Sequence, residues 1–437
     1  MTAVDDAVAF VKAALALDRR LTLWPDWRLV DTPVIVFEPG GFEVAIDHPN
    51  PQSTHRPIDE HDSITVSSGP SELRGSTAID IDGTRCGIID LSESEGAIAL
   101  PLIFHEAFHV YQHDCMSHLW HDFDVASEYP DDDPTDNALR VIERRILDEA
   151  RSSDDPIEDL ARFSVVRHHR LDQLDEEIAT YDQRGELIEG LASYIDHRIS
   201  THLLRDEDNL PDAIADPMAD RVRDDISTWL ELKQPDDSLG GYQRYWYDNG
   251  ATLGTVLDRI EPSWREDMIA EPAVWIDVID EIVERQEDLE DTLSMYDFDD
   301  ICASFEEEQT AHDAWVESTI EEIVDGDDGI RLRFRYDEIT GSAQIVFDPT
   351  NQSPCDDGVL YSRLFGIRRD GVRVEFTDRP VLHRPEDAEA IVRVYDRGLI
   401  DEMTSPLSVA GEGIELAIDR CDLDLTENDV SITIRQP

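Results

Sequence analysis

The segment LPLIFHEAFHVYQHD, Leu100–Asp114, sets His105, Glu106 and His109 in the pattern H-E-x-x-H. On an α-helix, residues four apart share a face with Cβ atoms about 5–6 Å apart. Two imidazoles at that spacing can both reach one ion at the roughly 2.0–2.1 Å of a zinc–nitrogen bond. Glu106 lies one position round the helix, where its carboxylate can meet a water at the ion without being a ligand. The flanking PLIF and AFHVY are strongly apolar, so this helix is expected in the core, where a buried His or Glu needs a partner.

Such a site needs a third ligand. The metzincin pattern would put Gly at position 112 and His at 115; Gln112 and Cys115 stand there instead and exclude it. His113 is one turn further on, but three histidines at successive turns span about 12 Å of helix axis, too far for one ion. His113, His118 and His121 are therefore read as surface or flanking residues. A better source is GELIEGLASYIDHR, Gly185–Arg198, an apolar-periodic helix with Glu189 among its apolar positions. Glu186, one turn earlier on a neighbouring face, competes with it, and periodicity alone does not choose between them.

Together, H-E-x-x-H, then Glu189-Gly190-Leu191-Ala192-Ser193-Tyr194, then Tyr247-Asp248-Asn249-Gly250-Ala251 resemble the gluzincin zinc metallopeptidases. The likeness is to the aminopeptidase N and leukotriene-hydrolase group, with its E-G-x-A and Y-x-x-G-A motifs, and more closely to uncharacterised prokaryotic proteins of the same layout. It covers some twenty residues, and the helical stretch from Pro101 to Val324 is compatible with the rest. The resemblance implies that His105, His109 and Glu189 hold one Zn²⁺ per chain, that Glu106 is the general base, and that Tyr247 stabilises an oxyanion. Tyr194, Tyr242 and Tyr245 compete for that last role. Two departures matter. Eighty residues separate His109 from Glu189, far more than in those aminopeptidases, which implies an inserted helical pair over roughly 137–184; such insertions are tolerated when they leave from a surface loop. The G-x-M-E-N strand that anchors a free amine is missing, so aminopeptidase specificity is not expected.

The elements that must position these residues are legible in outline. MTAVDDAVAFVKAALALDRR reads as an amphipathic helix and lacks a signal-peptide layout. Pro33–His48, around Pro39-Gly40-Gly41, and Ser76–Leu91, around Asp82-Gly83, read as hairpins. Pro101 falls in the first turn of the motif helix. Helical patterns follow over Asn137–Leu204, Met218–Leu232, Gly250–Ile260, Ala273–Gln286 and Phe298–Val324. DGDDG, 325–329, has a linker's composition, and strand-like runs such as IRLRFRYDEI, GVRVEF and VSITIR lie beyond it. The expected fold class is α+β: residues 1–100 give the N-terminal helix and β-hairpin region of the catalytic domain, 101–325 a mainly helical zincin-like domain, and 326–437 a β-sandwich-like accessory domain. In the last, His383, Asp356-Asp357 and Glu386-Asp387 read as solvated loop residues.

Composition bounds the rest. The 437 residues carry 37 basic and 100 acidic side chains, a net charge of −63, and the only lysines are Lys12 and Lys233. Acidity runs through every segment, as in proteins adapted to a very salty cytoplasm, where a Debye length of roughly 3 Å at molar salt screens self-repulsion. With no basic patch, nucleic acid and anionic membrane are not expected partners. No run of about 18 apolar residues spans a membrane. Five scattered cysteines without C-x-x-C suit reduced thiols, which also points to the cytoplasm. The expectation is a zinc-dependent peptidase acting on peptide or protein substrates; the alternative is a non-catalytic halophilic binding or scaffold protein in which the motif is accidental.

Overall fold

The structure, a computed structural model, describes residues 3–435 except 59–60, 93–97, 121–124, 126–128, 206–208, 215, 233–241, 284–287, 337–343, 348–351, 370, 396–406, 412 and 427–428. The chain is α+β, with strands near the N-terminus, a helical middle and strands at the C-terminal end. It divides into two compact units, Met1–Cys302 and Ala303–Pro437.

The first unit opens with α1 (Ala3–Arg20) and six strands, β1 (Val34–Glu38), β2 (Phe42–Ile46), β3 (Arg56–Ile58), β4 (His61–Ser67), β5 (Thr77–Ile81) and β6 (Thr84–Asp90). They form one sheet in the order β3-β4-β2-β1-β6-β5. β1 and β6 run parallel, and the other neighbours antiparallel. Both expected hairpins form. At the second, Asp82 and Gly83 have φ of 51° and 82°, the paired positive values of a type I′ turn. Successive side chains on a strand point to opposite faces. Val34, Val36, Val44 and Ile46 thus join the main core, while Ile35, Phe37, Ala45, Cys86 and Ile88 build a smaller one on the other face.

The helices are α2 (Ala99–Cys115), α3 (Pro134–Ser152), α4 (Pro156–Leu171), α5 (Glu176–Arg205), α6 (Asp216–Leu232), α7 (Tyr242–Ile260), α8 (Trp264–Ala270), α9 (Trp275–Ile282), α10 (Leu289–Met295) and α11 (Phe298–Asp325). Asp-Pro starts both α3 and α4: Asp133 caps α3 through the N–H groups of Thr135 and Asp136, and Asp155 caps α4 through Glu158. Five glycines set how closely the site's helices pack. A Cβ on Gly87 of β6 would come within 2.9 Å of the Glu106 carbonyl, so α2 rests directly on the sheet. A Cβ on Gly250 of α7 would lie 2.1 Å from the Cα of Gly190 on α5. Because Gly185 meets Trp246, Gly190 meets Gly250 and Gly254 meets Tyr194, α5 and α7 run parallel in near backbone contact.

The observed α7 begins at Tyr242, not Gly250. Asn249-Gly250 reads locally as a turn signal, but the room left by Gly185 and Gly190 lets Trp246 and Gly250 pack as helix.

The second unit carries twelve strands: β7 (Ile330–Arg335), β8 (Gln344–Phe347), β9 (Gln352–Cys355), β10 (Gly358–Tyr361), β11 (Leu364–Arg369), β12 (Val372–Thr377), β13 (Val381–Arg384), β14 (Glu389–Val394), β15 (Leu407–Gly411), β16 (Ile414–Ile418), β17 (Cys421–Leu425) and β18 (Asp429–Ile434). They form a seven-stranded sheet, β17-β18-β7-β14-β13-β10-β9, and a five-stranded one, β15-β16-β12-β11-β8. Leu332, Phe334 and Val430 of the first meet Ile367, Val374 and Phe376 of the second in one core. Val316 and Ile323 of α11 join Leu360, Leu382 and Ile391 in a second cluster. The division therefore falls inside α11 at Cys302/Ala303, ahead of the 325/326 boundary that composition suggested. His383 is also corrected: it is a β13 residue, 4% exposed, hydrogen-bonded to the Tyr336 hydroxyl, and burial lowers its imidazole to about 4. Asp356, Asp357, Glu386 and Asp387 are exposed, as expected.

Candidate metal centre

α2 and α5 bring His105, His109 and Glu189 together. The two histidine Nε2 atoms are 3.1 Å apart, and Glu189 Oε2 lies 3.3 Å from His109 Nε2 and 3.8 Å from His105 Nε2. Tetrahedral ligands at roughly 2.0–2.1 Å from an ion stand about 3.3 Å from one another. The three atoms thus already have the separations of one coordination shell. Both histidines are 7% exposed.

The opposite ring nitrogens fix the tautomers. His105 Nδ1 is 3.0 Å from Asp196 Oδ2, a carboxylate that only accepts. His109 Nδ1 is 2.8 Å from Gln112 Oε1, and the Gln112 amide cannot flip because its Nε2 donates to the Ile188 carbonyl at 2.8 Å. Each Nδ1 therefore carries the proton in the neutral ring, leaving each Nε2 with a bare lone pair aimed at the cluster. Two imidazole nitrogens and one carboxylate oxygen suit zinc and leave a coordination position open. Asp196 and Gln112 were not singled out in the sequence; the only signal was their place on the ligand faces, seven residues after Glu189 and three after His109.

The electrostatics favour positive charge at this point. Burial works against a charged His105, but hydrogen bonds to Asp196 and Glu189, with the Glu106 and Asp196 charges, outweigh it and lift the imidazole to about 10. Burial likewise opposes an ionised Glu189, yet His109 and His105 hold its carboxyl well below the usual range. Glu106 goes the other way. Burial pushes its carboxyl up, His105 and His109 oppose this, and Glu189 and Asp196 reinforce it. Glu106 is 6% exposed, and its Oε2 has no hydrogen-bond partner among the described residues. A carboxylate with a raised pKa beside an open position is a ready proton acceptor.

The structure places the competing residues apart. Glu186 turns away from the histidines and takes two hydrogen bonds from Arg167, at 2.5 and 2.8 Å. Tyr247 alone of the described candidates is at the site: its ring is 6.0 Å from that of His105, and the Glu189 and Glu106 charges act on its hydroxyl. Burial first, then the Glu189 and Glu106 charges, keep that hydroxyl protonated. Tyr194 donates to Asp258, Tyr245 donates to Glu143, and the Tyr242 side chain lies outside the described residues. His113 and His118 are at the surface, and His121 is outside the described residues. Trp120, missed in the sequence, flanks the centre with its ring 6.1 Å from that of His109. A cavity of about 160 Å³ extends beyond Tyr247 and Asp196, walled by Arg144 of α3, Ser193 and His197 of α5 and Thr252 of α7.

Behind His105, His109 and Glu189 is a buried ionic network that nothing in the sequence announced. Arg167 and Arg170 of α4 both bond Glu143 of α3, at 2.8 and 3.0 Å, and Arg170 also bonds Asp182 of α5 at 2.5 Å. Arg167 donates to Tyr245 of α7, and Trp246 donates to Asp182. The pair α3–α4 is thereby clamped to the helices that carry Glu189 and Tyr247. No described helix is long and apolar enough to cross a membrane, and all five cysteines are free. Comparison with protein-family models, with curated proteins and with solved structures finds no match, so the case for a function rests on this geometry.

Proposed function

We propose that the chain is a zinc-dependent peptidase of gluzincin type. The observation that carries the reading is the convergence of His105 Nε2, His109 Nε2 and Glu189 Oε2 at 3.1–3.8 Å, beside a buried Glu106 oxygen without a hydrogen-bond partner among the described residues. His105, His109 and Glu189 would hold the ion. Bound there, zinc supplies a Lewis acid that acidifies a water and polarises a carbonyl. Glu106 accepts the water's proton and returns it to the leaving amine. The Tyr247 hydroxyl, kept protonated by its surroundings, donates to the oxygen on which negative charge develops. Asp196 and Gln112 hold the two rings in the productive tautomer. β5, at the edge of the sheet beside β6, offers a backbone edge on which an extended peptide can add as a further strand. The acidic surface and free thiols support a salt-rich cytoplasm as the setting.

The test is metal content by mass spectrometry and hydrolysis of casein or a mixed peptide library, both in molar KCl. About one zinc per chain, lost in Glu189→Ala, with hydrolysis lost in Glu106→Gln, is the expected result. A wild type that holds no zinc even after incubation with the ion would overturn the reading in favour of a binding or scaffold protein.

A further inference from the structure

A second cluster has the same residue types. Glu43 of β2 and His48 and His55 of the following loop bring their ligand atoms within 4.8 Å of one another. His55 Nε2 is 3.0 Å and His48 Nε2 3.5 Å from the same Glu43 Oε2, and the two rings are 4.4 Å apart. All three are largely buried, with side chains 15%, 8% and 3% exposed for Glu43, His48 and His55. By residue type and proximity this too could hold a metal ion.

The Nδ1 atoms point the other way. His48 Nδ1 accepts the backbone N–H of Asn50, and His55 Nδ1 accepts that of Gln52, each at 3.0 Å. A nitrogen that accepts an N–H carries no proton, so the neutral ring's hydrogen sits on Nε2. Here each Nε2 donates to Glu43 and has no lone pair for an ion, the opposite of His105 and His109. Ser71 also bonds Glu43, whose carboxyl is held below the usual range by the bond from His48, against burial, and by Ser71 and His55.

We infer that Glu43, His48 and His55 form a proton-bearing lock that pins the loop 47–55 to the outer face of the sheet, and that the triad takes no metal. The lock is set while both rings are neutral. A further proton on either ring goes to Nδ1, where it meets a backbone N–H, so the ring keeps Glu43 and the loop loses its anchor. Among the described residues, the other charged or titratable groups here include Asp47, which begins the loop, Arg56, which follows His55, the Cys86 thiol on β6, which shares the Glu43 field, and Asp82, which accepts from the Asn50 side chain.

Two measurements test this. In amide hydrogen exchange in molar KCl, corrected for intrinsic rates, Asn50 and Gln52 are protected at about pH 7.5 and lose roughly tenfold protection when the sample is taken to about pH 5. Glu43→Gln should lower protection at both pH values, and the wild-type series stands on its own if that variant fails to fold. Protection that does not change with pH overturns the lock. Zinc stoichiometry is the second: a count unchanged in His48→Ala supports it, whereas a second zinc that disappears in that variant overturns it. A wild type with no zinc sinks the peptidase reading and leaves the lock intact.

Discussion

Glu186 and Glu189 stand one turn apart on α5 and face different partners. Glu189 Oε2 is 3.3 Å from His109 Nε2, while Glu186 receives the forked guanidinium of Arg167. Two similar substitutions should therefore fail differently. Glu189→Ala removes a proposed ligand, so zinc is lost, and it also takes the carboxylate partner from His105 and His109. Glu186→Ala leaves Arg167 short of a partner in the interior and should cost about 3–5 kcal/mol, with metal content preserved in whatever remains folded. Denaturant titration beside metal analysis separates the two; equal loss of zinc in both would contradict the assignment.

Asp196→Ala and Gln112→Ala leave every ligand in place and free only the far side of a ring. Each should weaken zinc binding about 10–100-fold. Competition with a chromophoric chelator measures this, and unchanged affinity would mean that the tautomers are held some other way.

Glu106→Gln keeps the size and removes the base. It should retain zinc and lower kcat roughly 10²–10⁴-fold. Tyr247→Phe removes one donor to the developing oxyanion and should lower kcat roughly 10²–10³-fold with KM nearly unchanged. If Tyr247→Phe instead raises KM alone, the hydroxyl contacts substrate rather than the reacting oxygen.

Gly190→Ala and Gly250→Ala each insert a methyl group where α5 and α7 touch. With clashes at 2.6 and 2.1 Å against backbone, neither can be relieved by turning a side chain. Each should destabilise by about 1–3 kcal/mol, and the double variant should depart from additivity because both strain the same crossing. Urea titration provides the comparison.

A net charge of −63 predicts a strong dependence on salt. The thermal midpoint should climb steadily as KCl rises from about 0.2 M to about 2 M, since the screening length shrinks from roughly 7 Å to a few ångströms. A midpoint indifferent to KCl would show that the acidic surface does not oppose folding.

What the sequence made legible was local. The hairpins at 34–46 and 77–90 follow from alternation and from Gly40 and Asp82-Gly83, whose backbone angles need only their own residues to explain. The motif helix follows from its apolar flanks. What stayed hidden was tertiary. Glu186 and Glu189 are both carboxylates beside apolar positions, and Arg167, nineteen positions earlier, is what separates them. Asp196 acquires its role from a ring nitrogen 91 positions away. Nothing among 37 basic residues marks Arg140, Arg167 and Arg170 as fully buried. Short strands such as QSPC and CDLDL are too polar to read alone, and His383, followed by Arg-Pro-Glu-Asp, reads as loop although it sits on a buried strand.

The α3–α4 pair, which lengthens the path between His109 and Glu189, contributes Glu143, Arg167 and Arg170 to the floor beneath them. Anyone trimming the chain to a minimal catalyst would excise those helices first, because the ligands do not sit on them. The shortened molecule would inherit Asp182 and Glu186 stripped of their arginine partners, with only neutral donors such as Trp246 and Asn249 left to them, and would need both rewritten as neutral residues in the same step.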